Sequence, residues 1–562
     1  MRVLPHLLTA LALLILASCD SRQETRNFGV ASAHPLATEA GIRVLESGGN
    51  AFDAAVATAA VLGVAEPYSS GIGGGGFWVL KPSKGDPVVV DGRETAPGEA
   101  HPELYLNDHG EVRAGKPSLN GALAAGIPGQ PAALAHLSRR YGKRSLQQNL
   151  APAIELARSG FPVDKRYRAL AKFRLEVLRK HPTTRSIFLD DNGEVPSLGE
   201  LLHQPQLART LETLAREGRD GFYEGELASQ LTRDVRKAGG IWSESDLADY
   251  EVIEREPRAI DYEGARILTA PAPSSGGIAL GQLFGMLEAS PLGDGCERLE
   301  RVHWLTEMMR RAYRDRARHL GDPAYTDIPV ERLLAPQYLR ELTSDIDPES
   351  ATDSAQLPGL EARGRHTTHL SVIDSDGNAV SATLSINYPF GSGVTSAGTG
   401  VVLNNEMDDF SIRPGHPNAY GLIGDEANRV EAGKRPLSSM SPIIMETDKA
   451  LTALGTPGGS RIITMNVLAV LDVLNGRSPA QVVSGKRFHH QYLPDRLQHE
   501  PGTFSSKEKE RLRALGHELE DVGRRYGNMQ LLRRHRPSGA ISGASDPRGI
   551  GTAQVLETGP SK

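Results

Sequence analysis

The chain has 562 residues, too many for one core of ordinary size but suited to one large layered unit or to two domains. Hydrophobic residues make up 39% and charged residues 23%, a composition that folds rather than staying disordered. With 63 basic against 69 acidic residues the formal net charge is −6, so there is no general basic surface to bind nucleic acid.

Two cysteines, Cys19 and Cys296, exclude a disulfide scaffold and a Cys-based zinc site. Leu7 to Ser18 is apolar, follows Arg2 and is too short to span a bilayer, the pattern of a secretory signal peptide. Its end, Leu16-Ala17-Ser18-Cys19, resembles the lipobox of bacterial lipoproteins. That resemblance implies cleavage before Cys19 and acylation of its thiol and new amine. The expected location is periplasmic or cell-surface, with a lipid anchor in a bacterial membrane. Residues 1–18 are then signal peptide and 19–28 a polar tether. Cys296 is left without a disulfide partner.

Leu36 to Leu45 has helical spacing and stops at Gly48-Gly49, and Asn50 is an N-cap for a second helix, Ala51 to Val64. Phe77 to Leu80 and Pro87 to Asp91 read as strands. Gly129 to Arg236 is mostly helical, and Arg301 to Leu320 is another long helix. Asp347 to Arg365 has no periodicity and reads as a mobile loop. Thr368 to Ile373 and Ala379 to Asn387 flank a turn at Asp374 to Asn378, a hairpin signal. A helix from Arg461 to Leu474 and late strands at Ile541 to Ala544 and Gly551 to Leu556 suggest a sheet-rich second half.

Gly71 to Gly76 satisfies the G-x-G-x-x-G pattern of dinucleotide sites. That pattern should follow a strand and open a helix, whereas here it leads into the strand Phe77 to Leu80, so it reads as a tight structural loop. Thr367-Thr368-His369 places two hydroxyls where the loop meets a strand. Downstream, Asn404 to Asp409 holds three carboxylates in four residues, and Lys434 to Pro442 is rich in hydroxyls. Gly455 to Ser460 precedes a helix, where backbone N–H groups form an anion nest. Taken singly, each of these is an ordinary turn. Together they supply a nucleophile, an ammonium-binding acid, hydroxyls and oxyanion donors.

These motifs, in this order, resemble the γ-glutamyltranspeptidase (glutathione hydrolase) family of N-terminal nucleophile hydrolases. The resemblance runs from Gly29 to Arg548 and includes Gly48 to Ala55, Ser70 to Phe77, Asp91 to Pro97 and Pro273 to Gly277. It continues through Thr367 to His369, Asn404 to Phe410, Pro436 to Pro442 and Gly458-Gly459. It implies an α+β fold, a four-layer αββα sandwich with two antiparallel sheets between helical layers. It implies self-cleavage between His366 and Thr367 into a large subunit, 29–366, and a small one, 367–562, which stay together as a heterodimer. Thr367 becomes the N-terminal nucleophile, and its freed α-amine serves as base. Thr368 assists the cut. Ser385 orients the nucleophile, and Gly458 and Gly459 form the oxyanion hole.

The same resemblance assigns Arg93, Ser438 and Ser439 to the α-carboxylate of a γ-glutamyl substrate. Asp409, Glu406 and Asn387 are assigned to its α-ammonium. Tyr420 belongs to a lid loop, Pro414 to Asn428. The partners implied are glutathione and other γ-glutamyl compounds, with amino-acid or dipeptide acceptors. No metal and no organic cofactor is expected. Two other readings stand beside this one. A cephalosporin or glutaryl acylase shares the fold but lacks the zwitterion-binding set. An unprocessed lipoprotein would bind γ-glutamyl peptides without turnover.

Overall fold

The computed structural model describes residues 26–293, 295–354 and 367–558. Cys19, His366 and the signal-peptide segment therefore lie outside the described residues. Two antiparallel sheets organise the chain. Before residue 366 the first sheet takes β1 (Arg26–Ser32), β2 (Gly75–Lys81), β3 (Val88–Gly92) and β4 (Ile253–Arg255). The next two, β5 (Arg258–Tyr262) and β6 (Ala265–Thr269), belong to the second sheet. After residue 366 come β7 (Thr368–Ile373) and β8 (Ala379–Ser385), then β9 (Ile443–Glu446) and β10 (Ala450–Gly455). The last are β11 (Gln530–His535), β12 (Ile541–Ser545) and β13 (Thr552–Thr558). The first sheet runs β13-β1-β7-β8-β2-β3-β4 and the second β12-β11-β10-β9-β6-β5.

Two expectations are corrected by this order. The sheets are not a property of the second half, because each is woven from strands on both sides of residue 366. The tether is also shorter than read: Arg26 to Phe28 already belong to β1, paired with Thr558 to Leu556. The hairpin of β7 and β8 forms as read, with Thr368 opposite Leu384, but β8 ends at Ser385, before Asn387.

Strand alternation sorts β7 between two environments. Leu370 and Val372 enter an apolar cluster with the helix Ala51–Ala65 and its neighbours. That helix is apolar on every side, as an enclosed helix must be, and starts at a capping box of Asn50 and Asp53. Ile373 points the other way and joins Leu268, Ile444, Ala453 and Leu532 of the second sheet. The outer face of the second sheet packs Ile267, Ile443 and Leu531 against the helices Gly276–Ala289, Arg298–His319 and Arg461–Leu474. His369, Ser371, Ser381 and Thr383 form a buried hydrogen-bonded group, in which Ser381 also donates to Leu454 O of the second sheet at 3.0 Å. Burial lowers the His369 pKa to about 3, so the ring is a neutral strut.

The chain before residue 355 is fastened to the later part as well. Ala351 N donates to Leu515 O and Ser354 N to Asp495 Oδ2, each at 2.6 Å. Cys296 is free and half-buried. Among the described residues no helix is long and apolar enough to cross a membrane.

Candidate active site

Thr367 immediately precedes β7 and is buried at 8% exposure. By alternation its side chain shares the inter-sheet face of His369. There the Gly458 N–H donates to Thr367 Oγ1 at 3.1 Å. Gly458 and Gly459 form the turn between β10 and the helix Arg461–Leu474. Glycine is required at Gly459: its φ is +57°, and an added Cβ would stand 2.4 Å from the Tyr420 ring. One narrow cavity brings together Thr367, Ser385, Asn387, Glu406, Asp409 and Tyr420 with Arg93, Ser438, Ser439 and Gly459. Gly458 faces a second cavity, which Thr367 also lines with Arg166, Arg524 and Arg548. Thr367 thus stands between an ion-rich cleft and a basic one.

Thr368 lies on the opposite face of β7. Its hydroxyl donates to Glu66 Oε2 at 2.8 Å, at the end of the apolar helix Ala51–Ala65. Burial raises the Glu66 pKa, opposed by His34 and by this hydrogen bond.

Arg93 follows β3 and is 1% exposed. Its Nη1 donates to Glu406 Oε2 at 2.5 Å and to Glu94 Oε2 at 3.3 Å, and its Nη2 to Asp409 Oδ2 at 2.6 Å. The residues assigned to the two ends of a zwitterion therefore pair with each other. One guanidinium does not balance three carboxylates. Burial pushes Glu406 up to about 7 against the pull of Arg93. Burial and the neighbouring Glu406 push Glu94 well up.

Ser385 does not bond to Thr367. Its Oγ accepts the Asn387 N–H at 2.7 Å, because Asn387 turns back with φ +68°. Ser438 Oγ accepts from Met440 N at 3.1 Å, and Ser439 Oγ accepts from Arg316 at 3.4 Å. Residues 418–420 lie against these groups. Tyr420 OH donates to Asn387 O at 2.6 Å, and Asn418 Nδ2 donates to Asp409 Oδ1 at 3.3 Å. The Ala419 N–H donates to Asp408 Oδ2 at 2.7 Å, and the Ser118 hydroxyl to Asp408 Oδ1 at 2.7 Å. Burial raises Asp408 to about 6. Among the described residues no His, Cys, Asp and Glu cluster is arranged to hold a metal ion.

Sequence reasoning did not single out Glu66, Glu94 or Arg316, and it took Asp408 only as one of the carboxylates of Asn404 to Asp409. Glu94 adjoins an assigned residue, which was the only signal for it. Glu66 and Arg316 are brought in by tertiary packing.

The fold has solved counterparts. A cephalosporin acylase from Bacillus halodurans superimposes with a TM-score of 0.83 at 28% identity, covering 94% of this chain and 96% of that one. A γ-glutamyltranspeptidase chain from Helicobacter pylori gives 0.56 at 37% identity, covering 58% of this chain and 94% of that one. The fold is thus that of the N-terminal nucleophile hydrolases. Within that class, the family model described as gamma-glutamyltranspeptidase matches residues 37–556. A Pseudomonas aeruginosa protein named glutathione hydrolase proenzyme is 41% identical over 537 residues, 94% of each chain. The chain belongs to the γ-glutamyltranspeptidase family.

Proposed function

We propose that the protein is a self-processing γ-glutamyltransferase and glutathione hydrolase with Thr367 as nucleophile. The observation that carries this reading is the Thr367 hydroxyl beside the Gly458 N–H, in one cavity with Arg93, Glu406 and Asp409. A γ-glutamyl head group carries one carboxylate and one ammonium. The cavity offers opposite charges to both.

In the uncut chain the Thr367 nitrogen is an amide and cannot act as a base. The hydroxyl attacks the His366 carbonyl, the peptide C–N bond breaks, and an ester remains. Water opens the ester and leaves a free α-amine on Thr367, with an ordinary pKa near 8. Subunits 29–366 and 367–562 then remain together, because each sheet holds strands from both. The three apolar clusters, two outside the sheets and one between them, support the four-layer αββα arrangement.

In turnover the amine takes the hydroxyl proton as Thr367 Oγ1 attacks the γ-amide carbon. The Gly458 and Gly459 N–H groups receive the oxyanion; one such donor is worth about 3 kcal/mol. The amine returns the proton to the leaving nitrogen, cysteinylglycine in the case of glutathione. The γ-glutamyl ester goes to water or to an amino-acid or dipeptide amine. On binding, the substrate ammonium takes the place of Arg93 at Glu406 and Asp409, which frees Arg93 for the α-carboxylate. The basic cleft with Arg166 and Arg524 suits the carboxylate of the leaving or accepting peptide. The Tyr420 lid keeps bulk water from the ester. A signal peptide and a lipid on Cys19 would place the enzyme at a bacterial membrane, periplasmic or cell-surface.

The acylase reading shares the fold, but a glutaryl acyl group has no use for an ammonium site. The test is a denaturing gel with N-terminal sequencing and a γ-glutamyl anilide assay. The expected small fragment begins Thr-Thr-His. Thr367→Ala is expected to stay one chain and to lose activity by more than about 1000-fold. Two chains from that variant would overturn the assignment.

A further inference from the structure

The cavity contains a second guanidinium that has no anion. Arg316 lies near the end of the helix Arg298–His319 and is 4% exposed. Its Nε donates to Ser275 Oγ at 3.1 Å, and an Nη donates to Ser439 Oγ at 3.4 Å. Both partners are neutral hydroxyls. Among the described residues Arg316 forms no ion pair.

Other buried arginines are satisfied differently. Arg435 pairs with Asp91 at 3.1 Å and Arg487 with Asp546 at 2.6 Å. Arg174 has no carboxylate, but it is filled by the carbonyls of Pro389 and Gly391 and the amide oxygen of Asn120. Arg316 instead faces the cavity, with two of its five N–H groups used by serines. A buried cation without an anion is costly unless a ligand supplies one. Burial lowers its pKa only to about 10, with Tyr313 and Asp409 holding it up, so the cation persists at neutral pH.

Its position identifies the anion. Arg316 ends on Ser439, and through Ser275, which donates to Ser438 O at 2.7 Å, it also steadies Ser438. Arg93, on the other side, is shared among three carboxylates of the protein. We propose that Arg316 is a specificity-determining residue that supplies the uncommitted positive charge for the α-carboxylate of the substrate head group, beside the Ser438–Ser439 pair. The proposal rests on the γ-glutamyl reading above. It divides the work in the cavity: Arg93 exchanges partners when the zwitterion enters, while Arg316 gains a partner it lacked.

The test uses the processed, full-length enzyme and three competitive inhibitors. Glutamate carries both α-groups, glutarate lacks the α-ammonium, and 4-aminobutanoate lacks the α-carboxylate. In Arg316→Gln the inhibition constants of glutamate and glutarate should rise roughly 10- to 100-fold, as for loss of a charge-assisted hydrogen bond. That of 4-aminobutanoate should stay within about twofold, since it has no group to place there. A merely structural role would shift all three together, and that result, or no shift in any, overturns the proposal. Should Arg316→Gln fail to process, Arg316→Lys decides. It keeps a charge but loses the fork, so the preference for glutamate over 4-aminobutanoate should fall at least about threefold. An unchanged preference overturns the proposal. Failure of the γ-glutamyl reading looks different: the unsubstituted enzyme would then turn over no γ-glutamyl anilide and bind none of the three acids.

Discussion

Two buried ion clusters of this protein have opposite charge arithmetic. Near the C-terminus, Arg487 and Arg548 face Asp546 and Glu500, two cations for two carboxylates, with contacts of 2.6 Å from Arg487 to Asp546 and from Arg548 to Glu500. Burial works against the charge of Asp546, but the two arginines and backbone N–H groups outweigh it and hold its pKa below the usual range. In the cavity, Arg93 is shared among Glu94, Glu406 and Asp409 while Arg316 pairs with none of them, and two of those carboxylates are pushed up. The matched cluster is complete without a ligand and fastens the late strands. The unmatched one crowds three carboxylates around one guanidinium, and an incoming ammonium would relieve their mutual repulsion. Ion pairs of similar geometry thus serve structure in one place and recognition in the other.

Breaking the matched cluster should produce the largest effect. Asp546→Asn leaves Arg487 and Arg548 short of an anion in the interior and should cost about 3 kcal/mol or more of stability, read by denaturant unfolding. Enzyme that still folds should keep its KM for a γ-glutamyl anilide. Asp409→Asn should do the reverse. It should lower kcat/KM roughly 100-fold, about 2.7 kcal/mol, mainly through KM. Its Tm should not fall, since Arg93 retains Glu406 and Glu94. A variant that lost stability and kept its KM would assign Asp409 to the matched, structural kind.

The legible parts of this molecule were those with local signals. Asn50 caps its helix as read because the capping box lies within four residues. The strand Thr368–Ile373 and the helix Arg461–Leu474 have the predicted ends, since a turn or a glycine pair bounds them. β1 escaped notice because Asn27, Gly29, Ala31 and Ser32 have little strand preference. Its pairing comes from β13 and β7, both more than 300 residues away in sequence. The site residues came from the family resemblance, and the cavity gathers most of them. Arg316 was hidden for a physical reason. Arg310, Arg311, Arg314, Arg316 and Arg318 all lie in the stretch read only as a long helix, yet Arg310, Arg311 and Arg316 are buried while Arg318 is exposed. Only packing distinguishes them.

The smallest expected effect gives the finest test of that crowding of carboxylates. Glu406 has its folded pKa raised from 4.5 to about 7, chiefly by burial. Below that pH it is mostly neutral and attracts an ammonium weakly; above it the carboxylate is ionised and attracts it strongly. The kcat/KM of the free enzyme should therefore rise as pH passes through about 7, in addition to the limb from the Thr367 amine. Glu406→Gln mimics the neutral form at every pH. Its kcat/KM should match the unsubstituted enzyme at about pH 6 and fall roughly 5- to 10-fold below it at about pH 8. Stability should move the other way. A carboxyl whose pKa is raised by folding favours the folded state only while protonated, and that contribution is lost as pH rises through the folded value. The Gln variant should gain Tm relative to the unsubstituted protein at pH 8 and show less gain at pH 5. Loss of Glu406 also removes the charge that opposes ionisation of Glu94, so Arg93 keeps an anion beside it. A ratio of kcat/KM values that stays constant from pH 6 to pH 8 would mean that Glu406 never carries the ammonium, leaving that task to Asp409 alone.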